Sequence, residues 1–96
     1  MPIVADFARM STEQIAERLR TVRADDTRLV TARRVLAEAR RLGHDAGLTP
    51  TAALARVTGN YSTAHVTLKV GHRVARLQKR APQEVQARLL VLLLAP

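Results

Sequence analysis

The chain has 96 residues, a formal net charge of +8 and no cysteine, and 47% of its residues are hydrophobic. A chain of this length forms one domain with a small core, and its apolar content excludes disorder caused by a shortage of core residues. The lack of cysteine excludes disulfides and thiolate zinc sites and fits a cytoplasmic protein. The strong positive charge favours an acidic or polyanionic partner.

Neither a secretory signal nor a membrane anchor is recognisable in the sequence. The N-terminal residues lack a basic segment followed by a long apolar one. The longest apolar run, 89–95, has seven residues, whereas a helix that spans a bilayer needs about 20. We therefore expect no contact with a membrane.

The first half of the chain predicts a short arm and two helices. Residues 1–10 form an N-terminal arm, and residues 11–96 form a single helical domain. Ser11 and Gln14 make a capping-box pattern, which predicts a helix over about 12–24. A longer helix follows over about 27–42, with Gly43 at the position that favours a left-handed C-terminal residue.

The second half predicts a helical unit over 49–80 and a final helix over 83–94. Thr49-Pro50 is a strong helix start, and Gly59-Asn60 ends the short helix that follows. Val residues then recur at helical spacing, although alternation of apolar and polar residues over 64–78 also fits a β-hairpin wing. The spacing persists beyond Gly71, which favours the helix. The predicted fold is all-α, a small bundle of about five helices, with an α+β fold as the alternative.

One segment carries a resemblance to a known class of proteins. Leu54–Gly59 resembles the first helix and turn of a helix-turn-helix DNA-binding unit, in which Tyr61 is expected to plug the angle between the helices and Ser62 to cap the second helix. Asn60 makes the turn one residue longer than usual. The resemblance covers residues 49–70 and indicates no particular family.

The distribution of charge adds to this resemblance. No acidic residue occurs between Asp45 and Glu84, whereas six basic residues fall there: Arg56, Lys69, Arg73, Arg76, Lys79 and Arg80. Lysine and arginine supply much of the affinity for DNA by neutralising phosphates. An acid-free segment at the expected position of a recognition helix therefore favours double-stranded DNA as the partner.

These features together predict a sequence-preferring DNA-binding protein, of the kind that regulates transcription or a mobile element. Side chains near the start of the second helix would meet base edges, and those further along would contact phosphates. The predicted DNA-binding residues are Ser62, Thr63, His65, Thr67, Lys69, Arg73, Arg76, Lys79 and Arg80. The alternative is an interaction module of the antitoxin or inhibitor type that binds an acidic protein. RNA ranks third, because aromatic stacking residues are scarce.

The last predicted helix is apolar around its whole circumference, so it needs cover on every side. Because a small domain has little core in which to hide so many leucines, we expect a homodimer interface here. Its predicted residues are Val85, Leu89, Leu90, Leu92 and Leu93. The alternative is that this helix packs inside the domain itself.

No catalytic or metal site is predicted, and no cofactor is expected. His65 and His72 lie two helical turns apart, about 10 Å along the axis, which is too far to bind one ion directly. Asp25 and Asp26 precede a helix, where acidic residues usually act as caps. We therefore expect a binding protein and not an enzyme.

Overall fold

A computed structural model describes residues 3–94, which form six helices and no strand. The helices are α1 (Ile3–Arg9), α2 (Thr12–Leu19), α3 (Arg28–Ala46), α4 (Pro50–Thr58), α5 (Tyr61–Gln78) and α6 (Pro82–Leu93). The prediction of a small all-α bundle is confirmed. The ambiguous segment 64–78 lies within α5, so the hairpin wing is wrong.

The first helices follow local signals in the sequence. The predicted arm contains α1, whose Phe7 is buried, and Met10, which follows α1 and is half-buried against the core. The capping box is present, because Ser11 Oγ accepts the Gln14 N–H at 3.1 Å and Gln14 Oε1 accepts the Ser11 N–H at 2.8 Å. α2 is shorter than predicted, since the N–H of Val22 bonds to Leu19 O and closes a tighter turn.

Two glycines explain where α3 ends. The predicted end at Gly43 is wrong, because α3 continues to Ala46 and Gly47 takes the left-handed conformation with φ 66°. Gly43 has a packing role instead. A Cβ there would lie 3.3 Å from the Cβ of Ala53, so its lack of a side chain lets α4 approach closely.

The core consists of two clusters that share α6. The α3–α4 cluster contains Leu29, Leu36 and Leu54, and α6 adds Leu90 to it. The cluster of α1, α2 and α5 contains Phe7, Ile15, Leu19, Val70 and Val74, and α6 adds Val85, Leu89 and Leu93. Because α6 lies between the two clusters, its apolar side chains are covered on two sides within this chain, whereas Gln83 near its start is exposed.

The predicted dimer interface is therefore wrong in its choice of residues. Val85, Leu89, Leu90 and Leu93 are all buried within this chain, with at most 8% of their surface exposed. Leu92 is partly buried and packs against both clusters. The alternative, in which the apolar helix packs inside the domain, describes the fold.

Candidate nucleic-acid interface

The turn between α4 and α5 is built by residues other than those expected. Thr49 and Pro50 start α4 as predicted, with Thr49 Oγ1 accepting the Ala52 N–H at 3.2 Å. Gly59 ends α4 with φ 74°, a left-handed conformation that glycine adopts without strain. Asn60 then caps α5, because its Oδ1 accepts the Thr63 N–H at 3.0 Å.

Two roles expected from the helix-turn-helix resemblance are thus wrong. Ser62 is not the cap of α5, because Asn60 fills that position and Ser62 is exposed within the first turn. Tyr61 does not plug the angle between the helices, because 64% of its surface is exposed. Its ring stacks instead on His65, with a distance of 6.1 Å between ring centroids.

One face of α5 is open to solvent and carries most of the helix's charge. We call it the basic face, and its residues are Ser62, His65, Lys69, His72, Arg73 and Arg76, all of which are exposed. At 3.6 residues per turn these positions fall within about a third of the helix circumference, and they extend over about 21 Å along the axis. Three permanent cations and two histidines therefore share one surface.

Nothing nearby neutralises this face. In the described part of the chain, the ion pairs lie elsewhere, and no carboxylate comes within 4.0 Å of Lys69, Arg73 or Arg76. Cations three or four positions apart on one helix destabilise it slightly. A surface of this kind favours a negatively charged partner, which would relieve the repulsion.

The basic face forms part of a shallow groove of about 720 Å³. Ala8 of α1 lines one part of the groove, and Pro50 and Thr51 line another at the start of α4. Because the first turn of α4 lies beside the middle of α5, the two consecutive helices pack against each other in opposite directions. The groove also includes apolar side chains between the cations, among them Leu68.

Two predicted base-contacting residues are buried and cannot take that role. Thr63 has 3% of its surface exposed and Thr67 has none. The inward stripe of α5 passes through these threonines to Val70 and Val74, whereas Leu77, three residues after Val74, is 49% exposed. The helix is thus rotated relative to the prediction, because threonine at these two positions fills core space as valine would.

The remaining predicted residues fall into two groups. Ser62, His65, Lys69, Arg73 and Arg76 lie together on the basic face, and His72 joins them although it was not predicted. Its sequence signal was its position seven residues after His65, which is two turns along the same face. Lys79 ends α5 in a left-handed conformation with φ 55°, and Arg80 lines a different pocket.

The described residues offer neither a metal cluster nor a membrane span. Within 3–94, no three His, Asp or Glu side chains lie close enough together to hold a metal ion. No helix in that range is both long and apolar enough to cross a bilayer. The chain matches no protein family, and no curated protein or solved structure is significantly similar to it.

Proposed function

We propose that the protein binds double-stranded DNA through the basic face of α5. The observation that carries this proposal is the alignment of Lys69, Arg73 and Arg76 on one exposed side of α5, with no carboxylate within 4.0 Å among residues 3–94. Duplex DNA carries about one negative charge per 1.7 Å of its axis. The three cations extend over about 10 Å of the helix axis and can therefore contact two or three phosphates at once.

The burial of Thr63 and Thr67 changes the expected balance between affinity and specificity. Of the predicted base-contacting residues, only Ser62 and His65 remain exposed near the start of α5, and α1 and α4 flank the groove. Few side chains are thus available for hydrogen bonds to base edges, which is where sequence is recognised. The proposed mechanism is phosphate anchoring with weak sequence preference, as suits a small regulator that works in the cytoplasm.

A salt titration of DNA affinity tests the proposal. Each neutralised phosphate adds about −0.9 to the slope of log K against log salt, so three cations predict a slope of about −3. The double variant Lys69→Gln with Arg73→Gln should bind at least about tenfold more weakly and show a shallower slope. Absence of measurable binding by the natural protein at low salt would contradict the proposal.

The chain offers a charge-matched control on another helix. Arg34 and Arg40 are exposed on α3 and have no ion-pair partner among residues 3–94. Arg34→Gln with Arg40→Gln removes the same net charge as the test variant but leaves the basic face intact. Equal losses in both double variants would show that net charge, and not the basic face, determines binding.

The groove favours a second candidate, an acidic protein partner of the antitoxin or inhibitor type. Ala8 and Leu68 line it beside Lys69 and Arg73, an arrangement that suits an acidic amphipathic helix. Ala8→Gln would narrow the groove but keep every cation. If the basic face binds DNA phosphates, this variant should leave DNA affinity unchanged. If the groove binds an acidic amphipathic helix, the variant should lower the affinity for an acidic helical peptide.

A further inference from the structure

A second polar pocket lies where α2, α5 and α6 meet. Its volume is about 640 Å³, and it shares no residue with the groove over the basic face. Four arginines line it: Arg20 and Arg23 at the end of α2 and the loop that follows, Arg80 after α5, and Arg88 on α6. Among residues 3–94, no acidic and no aromatic side chain lines it.

Arg88 is held in place by the fold. It is partly buried on α6, and its Nη1 donates a hydrogen bond to the backbone oxygen of Val22 in the loop between α2 and α3. Its Nε is buried and has no hydrogen-bond partner within residues 3–94. Because Nε is closed off from solvent, a ligand in the pocket can be reached only by the terminal nitrogens of Arg88, and the hydrogen bond from Nη1 to Val22 fixes their position.

The other three arginines also keep most of their donors free. The structure shows no hydrogen bond or ion pair from the Arg80 side chain to any residue in 3–94. Arg20 pairs with Glu17 at 3.5 Å and Arg23 with Asp25 at 3.4 Å, but all four side chains are more than 70% exposed. Exposed ion pairs of this kind are weak, so an anion of higher charge can displace the two carboxylates from the arginines.

The carbonyl groups at the helix ends beside the pocket do not occupy these arginine donors either. Arginine near a helix C-terminus can bond to the last carbonyl oxygens. Here the carbonyls of Arg18 and Leu19 already accept the N–H groups of Thr21 and Val22, and Ala75 O accepts the N–H of Arg80. The guanidinium groups therefore remain available to a ligand.

We infer that this pocket binds a compact polyphosphate group, meaning two or three linked phosphoryl units. Arginine guanidinium matches phosphate oxygens in paired hydrogen bonds, and four of them balance the charge of a triphosphate. The volume lies in the range of small-molecule sites. Because no aromatic side chain is present for stacking, we expect recognition of the phosphates and not of an attached base.

Calorimetry with the full chain at low salt tests this inference. Sodium tripolyphosphate and ATP should bind with similar affinity, adenosine should not bind, and sulfate should bind at least tenfold more weakly. Much tighter binding of ATP than of tripolyphosphate would show recognition of the nucleoside and overturn the expected ligand class. No heat of binding with either triphosphate would overturn the site itself.

Variants locate the site without disturbing the fold. Arg23→Gln with Arg80→Gln should weaken tripolyphosphate binding at least tenfold, because both side chains are exposed and neither holds the core together. The α3 control, Arg34→Gln with Arg40→Gln, should leave it unchanged, and an equal loss would overturn the site. Lys69→Gln with Arg73→Gln should also leave it unchanged, so failure of this inference is distinguishable from failure of DNA binding.

Discussion

Asn60 Oδ1 accepts the backbone N–H of Thr63 at 3.0 Å, so the residue that lengthens the turn after α4 is also the residue that caps α5. The cap starts α5 two residues before the predicted start at residue 63. The first turn of α5 therefore includes Ser62, which lies on the basic face together with His65.

Asn60→Ala should lower the free energy of unfolding by about 1 kcal/mol, because it leaves the Thr63 N–H without its acceptor. Asn60→Asp should keep the cap and most of the stability. Ser62→Ala is the matched control and should change stability by less than about 0.5 kcal/mol. Urea denaturation measures all three, and a larger loss for Ser62→Ala than for Asn60→Ala would contradict this assignment of the cap.

Gly71 is buried on α5 where that helix packs against Gln86 of α6. A Cβ at this position would lie 2.9 Å from Cγ of Gln86. Gly71→Ala should gain about 1 kcal/mol from helix propensity but lose about 1–3 kcal/mol from overpacking, so the variant should not be stabilised.

Gln86→Ala removes the obstructing atom, so it supplies the test of this contact. In the Gln86→Ala background, Gly71→Ala should become stabilising by up to about 1 kcal/mol. Thermal unfolding of the two single variants and the double variant measures the coupling between the positions. If Gly71→Ala has the same effect in both backgrounds, the helices are further apart than described.

Asp26 makes stability depend on pH in the acid range. Its carboxylate accepts the Arg28 N–H at 2.9 Å and lies 2.7 Å from Arg28 Nη2. The side-chain and backbone hydrogen bonds from Arg28 lower the pKa of Asp26 from 3.8 to about 2. Because the folded-state pKa is depressed, the stabilisation is complete above about pH 4 and is lost as the pH falls towards 2.

Asp26→Asn should therefore be less stable than the natural protein at pH 6, and the difference should shrink as the pH falls from 4 to 2. Denaturant unfolding at several pH values measures it. Asp25→Asn is the control, because Asp25 and its partner Arg23 are both about 80% exposed and form a weak pair. A difference that stays constant from pH 6 to pH 2 would contradict a role for the Asp26 charge.

The two ends of α4 were predictable because their signals are local. Thr49-Pro50 and Gly59 act through their own backbone positions, and the predicted helix matches the observed one. The valines of α5 are buried, as their spacing predicts. The full extent of the inward side was not predictable, because the valine spacing fits two neighbouring arcs of the helix. The choice between them depends on where α2 and α6 pack, and the sequence of α5 alone contains no such information.

The apolar circumference of α6 shows the same limit. Its pattern correctly indicated that the leucines need cover on more than one side, but it could not indicate what provides the cover. Two core clusters on either side of the helix do so, and they are assembled from residues as distant in sequence as Phe7 and Leu54. The two candidate binding sites also differ in how far they were predictable. Helical periodicity places Lys69 and Arg73 on one face of α5, but no pattern in the sequence indicates that Arg23 and Arg88 lie close together.

The core position of α6 gives a direct prediction about its leucines. Leu89→Ala should lower the free energy of unfolding by about 2–5 kcal/mol, because Leu89 is fully buried and the truncation leaves a cavity. Leu94→Ala is the same substitution at a residue that is 46% exposed, and it should cost less than about 1 kcal/mol. Equal losses, measured by denaturant unfolding, would contradict the position of Leu89 between α2 and α5.

Thr67 is a core residue on α5, the helix that carries the basic face. Its hydroxyl oxygen is buried and has no hydrogen-bond partner among residues 3–94, and an unsatisfied buried hydroxyl is destabilising. Thr67→Val keeps the branched shape and replaces the hydroxyl with a methyl group, so it should raise the free energy of unfolding by about 1 kcal/mol. DNA affinity should not change, because the side chain cannot reach a base. A loss of DNA affinity in a stably folded Thr67→Val protein would mean that α5 presents a different side to its partner.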